Sequence, residues 1–127
     1  MNLKGKNAIV TGGGRGLGKA VAIALAKEGV NIGLTGRNEE HLKNTAEELK
    51  TLGVMAAYYV FSIDNEKAVQ SGIAKLAEEL GGIDILINNA GIGDFGSIAE
   101  MPSETWEQVI KTNLFGVYYA AKAVHPF

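Results

Sequence analysis

Apolar residues recur along this chain in two alternating rhythms. Four short, nearly continuous apolar runs, at residues 7–11, 30–35, 54–61 and 83–87, have the length and flanking glycines of buried strands. Between them the spacing changes to that of a helix, with stripes at Leu17, Val21, Ala24 and Leu25, then at Leu42, Ala46 and Leu49, then at Val69, Ile73, Leu76 and Leu80. Gly29, Gly53 and the Gly81-Gly82 pair stand where these helices must stop. Asn38 can cap the second helix, with Glu39 and Glu40 in the turn where negative charge suits the helix dipole. Asp64 or Asn65 can cap the third. A last helix is predicted from about Ser103 to Val124, with a stripe of Trp106, Ile110, Asn113, Val117, Ala121 and Val124. Asn113 is the polar member of that stripe, and a buried amide left unpaired costs about 1–3 kcal/mol.

The order is therefore βαβαβαβα. Strands that are apolar throughout, rather than at alternate positions, belong to a parallel sheet covered on both faces. Right-handed crossovers then favour an α/β, doubly wound arrangement with strand order 3-2-1-4. At 127 residues there is length for one core, and no repeat or linker divides the chain, so residues 1–127 read as a single domain.

Composition narrows the chemistry. The chain has no cysteine, which removes disulfides, thiolate metal sites and cysteine nucleophiles. Its two histidines, His41 and His125, are too far apart in sequence to form a ligand motif. Twelve basic residues against fourteen acidic ones give no global attraction to nucleic acid or to an anionic membrane. No apolar run approaches the roughly 20 residues of a membrane span. The first residues lack the pattern of a signal peptide, so the expected location is cytoplasmic. Seventeen glycines against two prolines suggest backbone held close to something.

The glycines concentrate between the first strand and the first helix, in Thr11-Gly-Gly-Gly-Arg-Gly-Leu-Gly18. Backbone N–H groups at a helix N-terminus, unobstructed by side chains, make an anion site. Three phosphate ligands compete for it. Residues 13–19 fit the spacing of a nucleoside-triphosphate loop, but Ala20 has no hydroxyl for magnesium, and the fourth strand ends in Asn88 rather than Asp. An NAD or methyltransferase site wants an acidic side chain at the end of the second strand to hold ribose hydroxyls. This chain has Gly36-Arg37 there, and Arg15 lies in the glycine loop. Two guanidiniums suit the 2′-phosphate of NADP(H), because each is always charged and can give two donors.

Four motifs, Thr11–Gly18, Gly36-Arg37, Asn88-Asn-Ala-Gly91 and Asn113-Leu-Phe-Gly116, together resemble the short-chain dehydrogenase/reductase family. They look most like its bacterial 3-oxoacyl-(acyl-carrier-protein) reductase branch, and they span only the N-terminal half of a typical member. The resemblance implies a Rossmann-type dinucleotide-binding domain and an oxidoreductase that reduces a ketone, such as a 3-oxoacyl thioester of fatty acid biosynthesis. It places Gly12, Gly14, Arg15, Gly16, Leu17 and Gly18 around the cofactor's pyrophosphate, and gives Arg15 and Arg37 to NADP selection. Asn89, Ala90 and Gly91 would lie along the ribose. Asn113 would be the active-site Asn that holds a water in the proton relay through its backbone. A structural amide tying the helix to a neighbour is the other role open to it.

Two departures stand out. Where the family has Asp-Val-Ser/Thr-Asp/Asn after its third strand, with Asp bonding the adenine, this chain has Ser62-Ile63-Asp64-Asn65. Ser62 and Ile63 would still border the adenine, but Ser62 offers it an acceptor without charge. The family's catalytic Ser, Tyr and Lys lie later than its active-site Asn, and this sequence reaches only Pro126-Phe127. The implied chain is catalytically incomplete by itself. Tyr118 and Lys122 have the spacing of the catalytic pair but share a helix with Asn113, so they read as a packing or interface residue and a solvated charge. The implied partners are a small ketone or acyl-carrier-protein thioester and a second copy of the chain, with no nucleic acid and no membrane. The alternative is a non-catalytic nucleotide-binding module that dimerises or docks through an open fourth-strand edge and the last helix, where Trp106, Val117 and Val124 would lie exposed.

Overall fold

The computed structural model describes residues 2–93 and 96–127. Four parallel strands, β1 (Asn7–Thr11), β2 (Asn31–Gly36), β3 (Ala56–Val60) and β4 (Ile85–Ile87), form one sheet in the order β3-β2-β1-β4, as the alternation of elements predicts. Successive residues of β1 face opposite ways. Ala8 and Val10 join Ile32, Leu34 and the buried sides of α1 (Gly16–Lys27) and α2 (Glu39–Lys50) in one cluster. Ile9 faces the other way, into a cluster with α3 (Glu66–Leu80) and the last helix. The sheet is thus covered on both faces, and its C-terminal edge is left free for a site.

The sequence stripes locate α2 and α3 correctly: Leu42, Ala46 and Leu49, and Val69, Ile73, Leu76 and Leu80, are all buried. Asn38 and Asn65 are the caps, their side chains accepting from His41 N at 2.9 Å and Ala68 N at 3.1 Å. Two stripes need correction. In α1 the buried residues are Gly18, Ala22 and Ala26, while Leu17 is 72% exposed. The last helix has three parts: α4 (Ser103–Ile110), a π-helical segment (Lys111–Phe115) and α5 (Gly116–Val124). Its buried residues are Thr112, Gly116, Ala120 and Ala123, and Asn113 is exposed.

The physical reason is the same in both helices. They approach their neighbours too closely for large side chains, so the packed face is made of small residues. A Cβ on Gly116 would come within 2.9 Å of the Ile63 side chain. A stripe read by hydrophobic size therefore picks the wrong face.

Candidate cofactor site

A cavity of about 700 Å³ lies at the C-terminal ends of the strands, within the size range of small-molecule sites. It gathers residues from four separate loops. Gly12, Gly14, Arg15 and Gly16 come from the β1–α1 loop, Arg37 follows β2, Ser62 and Ile63 follow β3, and Asn89, Ala90 and Gly91 follow β4. Of the residues singled out from sequence, Leu17, Gly18 and Asn113 do not line it.

The loop's shape depends on its glycines. Gly12 has φ +65° and Gly16 φ +59°, in the left-handed region where a side chain is strained. Gly18 is needed for contact rather than for the ligand: a Cβ there would collide with the Gly12 carbonyl and the Asn89 amide. The Gly12 and Gly13 N–H groups both donate to Thr35 O, at 2.9 and 3.3 Å, which fastens the loop to the end of β2. The N-terminus of α1 has no side-chain cap and no acidic residue in its first turn. Its first N–H groups lack intrahelical partners and carry the positive end of the dipole. Bare glycine backbone, an uncapped helix N-terminus and two guanidiniums on one cavity fit the anionic bridge of a dinucleotide.

Thr11 organises the far wall, and sequence reading missed it. Its hydroxyl oxygen accepts from the N–H groups of both Asn89 and Ala90 at 3.0 Å, and its proton goes to Ile87 O at 3.4 Å. Asn89 Nδ2 donates to Gly12 O at 3.1 Å. The segment after β4 is thereby pinned to the glycine loop. The available signal was the position of Thr11 as the last residue of a central strand. His41, Asn38, Phe61, Ile92 and Thr112 also border the cavity. They come from the start of α2, the residue after β3, the chain after Gly91 and the π-helical segment.

The Asn113 side chain takes the structural role left open for it. Its amide oxygen accepts from Ile92 N at 2.9 Å and its nitrogen donates to Ile92 O at 2.7 Å. It ties the π-helical segment to the chain after β4 as a two-way backbone clamp. Tyr118 and Lys122 lie away from the cavity. Lys122 Nζ is 3.4 Å from Glu66 and rests over the Tyr118 ring, and the bond to Glu66 is the main reason its pKa is raised. Asp64 behaves in the opposite sense. A hydrogen bond from Ser62, then one from Gln108, hold its carboxyl below the ordinary range, with a smaller contribution from the charge of Arg37.

Among the described residues, no helix is long and apolar enough to cross a membrane, and no cluster of His, Asp and Glu could hold a metal ion.

The chain is similar to gluconate 5-dehydrogenase of Gluconobacter oxydans, at 37% identity over 97% of this chain and 48% of that protein. It is also similar to the 3-oxoacyl-(acyl-carrier-protein) reductase of Vibrio cholerae, at 36% identity over 98% and 50%. Likeness to the 3-oxoacyl reductase branch is thus not specific. Among solved structures, a short chain dehydrogenase from Burkholderia cenocepacia in complex with NADP superposes with a TM-score of 0.94 at 32% identity, covering 99% of this chain and 52% of that one. An NAD⁺-bound xylitol dehydrogenase gives 0.93 at 35%, covering 98% and 48%. The chain spans about half the length of the curated relatives it matches. The sequence profile described as short chain dehydrogenase matches residues 6–127, and the protein belongs to that family.

Proposed function

We propose that residues 1–127 form the NADP(H)-binding part of an oxidoreductase that reduces a ketone, with a 3-oxoacyl thioester as the first substrate to test. The observation that carries the cofactor choice is the convergence of Arg15 and Arg37 on the cavity that the glycine loop lines. No acidic side chain stands at the end of β2 to prefer the free ribose hydroxyls of NAD. The relative in complex with NADP supports this reading, and the NAD⁺-bound relative makes the two arginines the point to test.

In this assignment the first turn of α1 and the glycine loop hold the pyrophosphate. Arg15 and Arg37 hold the 2′-phosphate, and Asn89, Ala90 and Gly91 border the ribose. The cofactor, when bound, supplies hydride. Asn113 keeps its proposed place beside the proton path, where its clamp on Ile92 fixes the backbone of the π-helical segment. The 127 residues alone bind cofactor without turnover.

Titration of the chain with NADP and NAD tests the assignment. Each charge-assisted contact is worth about 1.5–3 kcal/mol, or about one to two decades of affinity. NADP should bind at least tenfold more tightly, and Arg37→Asp should move the preference toward NAD. A variant that still prefers NADP defeats the role given to Arg37. Turnover of an acetoacetyl thioester with NADPH at the rate of the full-length relatives defeats the view that these residues are only the binding part.

A second reading, a non-catalytic nucleotide-binding module acting through a partner or a second copy, is favoured by one observation. β4 is a half-buried aliphatic strand at the sheet edge, and Trp106 and Tyr118 are 52% and 59% exposed on the helix that follows it. Size-exclusion chromatography discriminates: a clean monomer counts against this reading.

A further inference from the structure

Arg15 and Arg37 stand on different loops, and their relative placement is set where α2 meets the glycine loop. Arg37 immediately precedes the cap of α2. Asn38 accepts from His41 N at 2.9 Å through its side chain and from Leu42 N at 3.2 Å through its carbonyl, which joins Arg37 firmly to that helix. Arg15 follows Gly14, and Gly14 lies directly against α2. A Cβ on Gly14 would come within 3.0 Å of His41 Cβ and 3.3 Å of Leu42.

One side chain closes this joint. Thr45 is 1% exposed, on the buried face of α2 with Leu42, Ala46 and Leu49, and it does not line the cavity. A hydroxyl inside a helix ordinarily returns to the carbonyl four residues back. That of Thr45 crosses to another segment and donates to Gly14 O at 2.8 Å. The Gly14–Arg15 peptide is planar and trans, so its N–H points opposite to its carbonyl. With the carbonyl fastened to α2, the Arg15 N–H is turned away from that helix, and among the described residues nothing accepts from it. The peptide that leads into Arg15 cannot rotate without breaking the bond to Thr45. A second tie between α1 and α2, Lys19 to Glu48 at 2.9 Å, lies at the surface, where such pairs contribute little, and does not involve Gly14.

We propose that Thr45 is a positioning residue for cofactor choice: by holding the Gly14 carbonyl it fixes Arg15 relative to Arg37, so that both guanidiniums meet one phosphate. The inference rests on the NADP(H) reading of the cavity. It assigns to a buried hydroxyl outside the cavity a share of the preference that the two arginines express.

The test titrates the chain with NADP and with NAD and compares the ratio of the two affinities. Thr45→Val keeps the shape and removes the donor, and the ratio should fall about fivefold, the size of one hydrogen bond, through weaker NADP binding. Thr45→Ala also removes the hydroxyl and favours the helix, so it should show the same fall and serves if the valine variant does not fold. Thr45→Ser keeps the hydroxyl and should hold the ratio within about twofold of wild type. Glu48→Gln removes the surface tie and should leave the ratio unchanged. A merely structural hydroxyl would lower the thermal stability of the valine and alanine variants without moving the ratio. An unchanged ratio in those two variants, or an equal fall in Thr45→Ser or Glu48→Gln, overturns the assignment and leaves the NADP(H) reading standing. A wild-type chain that binds neither dinucleotide, or binds both equally, overturns both.

Discussion

β1 and β4 lie side by side, with Ile9 paired to Leu86, and both are aliphatic runs. Every residue of β1 is buried, whereas every residue of β4 is half-buried. The difference lies in the neighbours. β1 has a strand on each side and helices over both faces, while among the described residues β4 pairs with β1 alone. The helices beside them repeat the contrast. α1 sets its small face against the strands that frame the cavity, and the last helix sets its small face on α3 and Ile63 while Leu114, Phe115 and Tyr118 remain exposed. The strands at the centre of the sheet are closed on all sides, and the region around β4 carries apolar surface that the described residues do not cover.

Substitutions can break or sharpen that contrast. The largest expected effect is in the strands: Ile9→Ala should cost about 4 kcal/mol and Leu86→Ala about 2, since only the first empties a closed core. Equal losses by denaturant unfolding would remove the distinction. Next are the small-residue faces. Gly18→Ala meets backbone that cannot yield and should cost about 3 kcal/mol with loss of nucleotide binding, whereas Gly116→Ala meets the branch carbons of the stiff, buried Ile63 side chain and should cost about 2. Thermal unfolding with and without cofactor compares them. Thr11→Val strands the N–H groups of Asn89 and Ala90 and should cost about 2 kcal/mol, read in the same unfolding experiment.

A smaller effect follows from Asp64. Its folded-state pKa is lowered, so its contribution is present above the unfolded-state value and is lost as pH falls through the folded one. Unfolding at neutral pH and below the ordinary carboxylate range should show the wild type losing more stability than Asp64→Asn. Smallest of all, Val117→Gln on the open face should change stability by no more than about 0.5 kcal/mol while reducing any self-association seen by chromatography.

The amino-acid sequence by itself determined the alternation of strands and helices, the strand order, the cap at Asn38, a cap at Asp64 or Asn65, and the position of the glycine loop. These follow from local spacing and from backbone chemistry, which a linear chain displays directly. Gly12, Arg15, Arg37, Ser62 and Asn89 were legible as site candidates because each sits at the end of a predicted strand or in the loop after it. Only the tertiary structure decided which face of α1 and of the last helix is packed, because close approach selects glycine and alanine over larger apolar residues. It alone turned Asn113 into a clamp on Ile92, set Thr11 against Asn89 and Ala90, and joined Ser62, Asp64 and Gln108. Those partners lie up to 79 residues apart in sequence, and nothing in their spacing records that folding brings their donors and acceptors within bonding distance.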